Sequence, residues 1–166
     1  MNNTNRFKKQ HTIFIVIIGL VILLDQIGKW IIVRNLSLHE TLEVIPGFFS
    51  LTYIRNTGGA FGILAGRVSF TRTIFFLVIT CTALGVLFYH LYFKLSPNRN
   101  VIAISISLII GGAIGNLIDR IRFGEVIDFL DFYIGSFHWP AFNVADSAVS
   151  AGVAIYCLQL LKRGNP

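Results

Sequence analysis

The stretch Gly111 to Asp146, GGAIGNLIDRIRFGEVIDFLDFYIGSFHWPAFNVAD, leaves one apolar helix, crosses a polar segment and enters a second apolar helix. It therefore carries polar groups out of a bilayer and back into it. Five of the chain's eight Asp and Glu residues lie here, at Asp119, Glu125, Asp128, Asp131 and Asp146. Ionisable groups at a membrane boundary are costly and are functional candidates by default. Asp128 in VIDF and Asp146 in FNVAD flank a segment able to fold back and bring them together. Two carboxylates sharing one site form an acid/base arrangement.

The rest of the chain fits a membrane setting. Its 166 residues are 54% hydrophobic and 13% charged, with a mean hydropathy of +0.70, too apolar throughout for a soluble domain of this size. Four spans are expected at about 13–33, 74–93, 101–118 and 142–161 within a single membrane domain, 1–166, with extracytoplasmic segments at 34–72 and 120–141. The start, basic and then apolar, imitates a secretory signal peptide, but no small-x-small cleavage site follows. In the 34–72 segment, Phe49-Ser50-Leu51-Thr52-Tyr53 alternates at the period of a strand. The expected fold is an all-α polytopic membrane protein, four transmembrane helices with a small extracytoplasmic β-sheet cradle on the membrane surface.

The net charge of +6 does not point to nucleic acid, because the basic residues sit at the ends of apolar runs and not in a stripe with aromatics. Anionic lipid headgroups are the better partner. Seven Lys and Arg fall in the termini and the 94–100 loop and seven on the other face, but the first set is packed into short segments. The positive-inside rule then places both termini in the cytoplasm and the carboxylates at the outer face. Trp30 and Trp139 fall at that outer interface. Cys81 and Cys157 lie in apolar runs and read as small buried hydrophobes.

Several polar residues admit two readings. Asp25 and Lys29 stand at i and i+4: either they form a self-neutralising interfacial pair with Lys29 snorkelling outward, or they belong to a site. Asp119 beside Arg120 reads as a structural ion pair or as a rival of Asp128. Glu125 and Asp131 read as solvated loop charges. Phe129, Phe132, Tyr133, Phe137 and Trp139 read as an interfacial anchor first and a lid second. Ser136 and His138, two residues apart in a loop, make a weak dyad. Gly111 and Gly115 have the small-xxx-small spacing that admits a neighbouring helix.

The ordered set Asp25-Gln26, Asn56-Thr57-Gly58-Gly59-Ala60-Phe61, Gly115-Asn116-Leu117-Ile118-Asp119-Arg120, Val126-Ile127-Asp128-Phe129 and Phe142-Asn143-Val144-Ala145-Asp146-Ser147 resembles the bacterial lipoprotein signal peptidases (signal peptidase II). The match covers essentially the whole chain; Gly59 departs from it, the family more often having Ala there. The resemblance implies a membrane-embedded aspartic endopeptidase that removes signal peptides from diacylglyceryl-modified prolipoproteins, cleaving on the N-terminal side of the lipid-modified cysteine. It implies Asp128 and Asp146 as the catalytic pair and Asn56, Asn116, Arg120 and Asn143 as the substrate-binding polar shell, with Asp25 supporting. Asp119, favoured as structural on the motif, joins the supporting residues. It also implies no metal or organic cofactor, and inhibition by globomycin. A bacterial cytoplasmic membrane location and a monomer are expected. The alternative class is a small membrane transporter or proton-conducting protein, disfavoured because the polar residues gather at one surface and no inverted repeat exists.

Overall fold

The computed structural model describes residues 3–59, 66, 69–94 and 100–162. The side chains of Arg6, Lys8 and Lys9, the Ala60–Phe61 part of the glycine turn, the loop at 95–99 and residues 163–166 lie outside this description. Four helices are long and apolar enough to cross a membrane: α1 (Asn3–Asn35), α2 (Phe70–Tyr89, continued by a π-helical turn, His90–Lys94), α3 (Asn100–Phe123) and α4 (Val144–Leu161). Between them lie four strands, β1 (Thr41–Ile45), β2 (Phe49–Asn56), β3 (Val126–Ile134) and β4 (Phe137–His138), in an antiparallel sheet of order β1-β2-β3-β4.

Helix α3 is the centre of the bundle, touching α1, α2 and α4. Its small residues make that possible. A methyl group at Gly115 would stand 2.7 Å from Asp25 Oδ2 and 3.2 Å from Ala145 Cβ, so glycine lets α1 and α4 both close on this turn. Helix α2, by contrast, turns nearly all of its surface outward and buries Leu84 alone among its residues. Cys81 and Cys157 are exposed on outward faces, contrary to the expectation of buried thiols, since the lipid-facing sides of these helices are as apolar as their protein-facing sides. Two apolar clusters hold the molecule. One joins Phe14, Leu84, Leu91, Ile102, Ile106 and Ile110 within the bundle; the other joins Ile32, Tyr53, Ile127 and Phe129 beneath the sheet. Along α1, Asp25 and Lys29 fall between the two.

Helix α3 continues past its apolar stretch to Phe123, so Arg120 is helical and not part of a loop. It ends where Gly124 takes φ +74°, donating its N–H to the Arg120 carbonyl, a left-handed cap that a side chain would strain. The chain then enters β3, in the middle of what the sequence presents as a polar loop. VIDFLDFYI alternates: Ile127 and Phe129 face the second apolar cluster, while Asp128, on the opposite face, looks into a cavity. Phe129 is therefore a core residue, its ring close against Gly28, and not an interfacial anchor. Asp131, three residues past Asp128, falls on the other face.

Candidate active site

The geometry centres on Asn143. It is the N-cap of α4, with extended backbone (φ −132°, ψ −178°), and it forms a capping box with Asp146: its Oδ1 accepts from the Asp146 N–H at 2.8 Å, and the Asp146 carboxylate accepts from the Asn143 N–H at 3.4 Å. The same side chain donates Nδ2 to Asp128 Oδ1 at 2.7 Å. One buried residue therefore touches both carboxylates of the pair, Asp128 through its side-chain amide and Asp146 through its backbone N–H. Helix α4 begins one residue later, at Val144, so Asn143 reaches Asp146 as its cap and not from a shared helical face.

Each carboxylate has one further amide donor. Asn56 Nδ2 donates to Asp128 Oδ2 at 3.0 Å, reaching diagonally across the β2–β3 pair, in which Ile54 stands opposite Asp128. Asn116 Nδ2 donates to Asp146 Oδ1 at 2.7 Å. Arg120 lines the same cavity but is engaged elsewhere, donating to the Gly58 carbonyl at 3.1 Å and lying over the Phe76 ring. Burial, and secondarily the negative charge of Asp146, push the Asp128 carboxyl up to about 7, against the opposing bonds from Asn56 and Asn143. The cavity has a volume of about 340 Å³ and is walled on its apolar side by Val126, Trp139, Pro140, Phe142 and Val149. Trp139 and Phe142 also border an apolar groove of about 370 Å³ with Phe48, Phe132 and Phe137, so the aromatics near β3 and β4 line a continuous surface leading from the carboxylates.

With this geometry, similarity to known proteins becomes decisive. The chain matches the family model described as signal peptidase (SPase) II over residues 17–162. It belongs to the signal peptidase II family. A lipoprotein signal peptidase of Syntrophus aciditrophicus (strain SB) is 48% identical over 156 residues, 94% of this chain and 96% of that one. A second, from Syntrophotalea carbinolica (strain DSM 2380 / NBRC 103641 / GraBd1), is 49% identical over 157 residues, 93% and 94% of the two chains. A solved bacterial membrane enzyme superposes with a TM-score of 0.84 at 38% identity, covering 93% of this chain and 90% of its own. Family membership makes the molecule a membrane peptidase.

Other residues singled out in the sequence are placed differently. Asp119 does not pair with Arg120, because neighbours in a helix point about 100° apart. Its partner is Lys29, at 2.7 Å. Lys29 does not snorkel outward: it is 2% exposed and binds Asp25 at 2.8 Å as well. Gln26 closes this group, donating to Asp25, Asp119 and the Gly115 carbonyl. Asp131 is buried and sits 3.0 Å from His138 Nδ1, while Glu125 meets Arg55 at 3.5 Å. Lys29 and Gln26 are site-adjacent residues whose partners sequence reasoning left open. The available signal is a lysine one turn from an aspartate inside a span, which a lipid-facing surface disfavours.

Proposed function

We propose that this protein is an aspartic endopeptidase that removes the signal peptide from diacylglyceryl-modified prolipoproteins, cutting on the N-terminal side of the lipid-modified cysteine. The observation that carries this reading is the Asn143 bridge: its side chain bonds Asp128 and its backbone N–H bonds Asp146, both carboxylates line one cavity, and each is bonded, among the described residues, to neutral donors. Two such carboxylates share a proton and titrate as a unit. Asp128, pushed up to about 7, holds that proton. Asp146, in the first turn of α4 where the helix dipole favours an anion, takes the part of the ionised partner in this reading.

In the reaction, Asp146 takes a proton from water as its oxygen attacks the scissile carbonyl carbon, and Asp128 gives its proton to the carbonyl oxygen. Collapse of the tetrahedral intermediate breaks the C–N bond. The proton taken from water passes to the leaving amine of the lipid-modified cysteine, and the intermediate's hydroxyl proton returns to Asp128. Arg120 and the Gly58–Gly59 backbone line the approach for the peptide. The acyl chains add binding at roughly 0.8 kcal/mol per buried CH₂.

In this reading the chain is one membrane domain, a monomer in the bacterial cytoplasmic membrane with both termini inside and the site at the outer face. Globomycin-type peptides compete for the cavity, and membrane lipids surround it. The test is cleavage by purified protein in detergent: lipid-modified precursor is cut and unlipidated precursor far more slowly. Equal rates for the two forms sink the lipid part of the reading. Reporter fusions at Ser96 and the C-terminus should read cytoplasmic, and an external signal at Ser96 inverts the topology.

A further inference from the structure

The buried charge group beneath the pair is tied to it at three points. Lys29 Nζ uses all three of its donors, on Asp25 Oδ2 at 2.8 Å, Asp119 Oδ2 at 2.7 Å and Asn116 Oδ1 at 3.0 Å. The two carboxylates it holds reach the backbone immediately ahead of each member of the pair. Asp25 Oδ1 accepts from the Ala145 N–H at 2.9 Å, one residue before Asp146. Asp119 Oδ2 accepts from the Ile127 N–H at 3.2 Å, one residue before Asp128. Helix α4 and strand β3 are thus both referred to one ammonium on α1.

The third bond acts through a side chain. An ammonium only donates, so it accepts Asn116 in a single sense, with Oδ1 toward Lys29 and Nδ2 toward Asp146. Asn143 Nδ2 supports that sense at 3.2 Å, but it is shared with Asp128 and the Ile127 carbonyl. Without the lysine, Asn116 is free to turn its oxygen toward Asp146, replacing a donor by an acceptor beside a carboxylate.

We infer that Lys29 is a positioning residue for peptide hydrolysis: it sets the separation of Asp128 and Asp146 through Asp25 and Asp119, and it directs the Asn116 donor onto Asp146. This rests on the reading of Asp128 and Asp146 as the catalytic pair. A purely structural lysine would change melting temperature and the fraction of active enzyme. A positioning lysine also changes kcat per folded molecule while leaving KM nearly as it was, since of the residues that line the cavity it acts only on Asn116 and the carboxylate pair.

The experiment is steady-state and single-turnover cleavage of a lipid-modified precursor by the full chain in detergent, with folding followed by thermal melt. Lys29→Met should lower kcat about 100-fold, the loss expected of a misplacement of about 1 Å. Lys29→Gln, which keeps a donor for Asn116, should recover part of kcat without recovering the melting temperature. The Lys29→Met/Asn116→Ala double variant should be little slower than Asn116→Ala alone, because the two act in series. Lys29→Met leaves two buried carboxylates uncompensated. If it fails to fold, the neutral triple variant Asp25→Asn/Lys29→Met/Asp119→Asn, which retains the two backbone acceptors, takes its place and should be slow. Wild-type kcat in that folded triple variant, or additive losses in the double one, overturns the inference. Asp128→Asn and Asp146→Asn are the controls. Dead controls beside fully active Lys29 variants reject the positioning role alone, whereas active controls reject the catalytic pair and the inference with it.

Discussion

Two pairs of carboxylates in this molecule, Asp25 with Asp119 and Asp128 with Asp146, have opposite surroundings. Asp25 and Asp119, 0% and 1% exposed, close on the Lys29 ammonium and leave no space for a ligand. Asp128 and Asp146 border an open cavity, and the side chains that bond them are amides. A carboxylate closed on by an adjacent cation acts as a strut, with no room beside it for a reactant. One held by neutral donors, next to another carboxylate, has a proton affinity near the operating pH and can take part in proton transfer. The difference between scaffold and proposed chemistry lies in the partner, since all four are aspartates, three of them buried and Asp146 half-buried.

The largest effect expected from that contrast is on turnover. Asp128→Asn or Asp146→Asn keeps shape and hydrogen bonding but removes the titrating group, so each should lower the single-turnover rate by at least about 10³-fold, with the double variant little worse than either. Asp119→Asn keeps an acceptor for Ile127 and leaves a neutral Asp25–Lys29 pair, so it should still turn over. A folded but dead Asp119→Asn enzyme beside an active Asp128→Asn enzyme would exchange the roles of the two groups.

A smaller effect sharpens the comparison through pH. The Asp128 carboxyl rises from 3.8 to about 7 on folding, so the unfolded chain gives up this proton first as pH rises. Its contribution to stability is complete below the unfolded value and is lost as pH rises through about 7. Asp128→Asn should therefore melt several degrees above the wild type near pH 8, with the gap closing toward pH 4. No gap at either pH would show that burial does not strain this group. Asp119→Asn should instead melt a few degrees lower, since its charge is compensated in the native state.

The smallest effect belongs to a fifth aspartate. Asp131 pairs with His138, which is half exposed, at the tip of the sheet away from the cavity. Asp131→Asn should cost less than about 1 kcal/mol in a denaturation experiment and leave turnover unchanged. A large loss of turnover would extend the reactive region to the β3–β4 hairpin.

Much of the site is legible in the sequence. The pair of motifs around Asp128 and Asp146, the asparagines at 56, 116 and 143, and Arg120 are polar residues at positions where apolar ones would be cheaper, and the fold gathers all of them at one cavity or its bonds. Strand β3 is hidden for a physical reason. Its alternation carries acids at 128 and 131 on opposite faces, so neither face reads as uniformly apolar, although both are covered. Asp119 stands next to Arg120 in the chain, but sequence adjacency is not spatial adjacency, and its cation comes from another helix. Lys29 reads either as outward-facing or as part of a site, because a long side chain at a span's end normally escapes to water; here three acceptors hold it inside.

By itself the sequence determined the class, the four apolar helices and the motifs, because span length and motif spacing are one-dimensional properties set by bilayer thickness and by residue type. Only the tertiary structure decided which charges compensate one another. A helix or strand period says which residues share a face, but not what that face meets. Gly115 lets α1 and α4 close on α3, and that approach puts Lys29 between Asp25 and Asp119. With the cation committed there, Asp128 and Asp146 are left to amide donors, and the shared proton proposed for them rests on that placement.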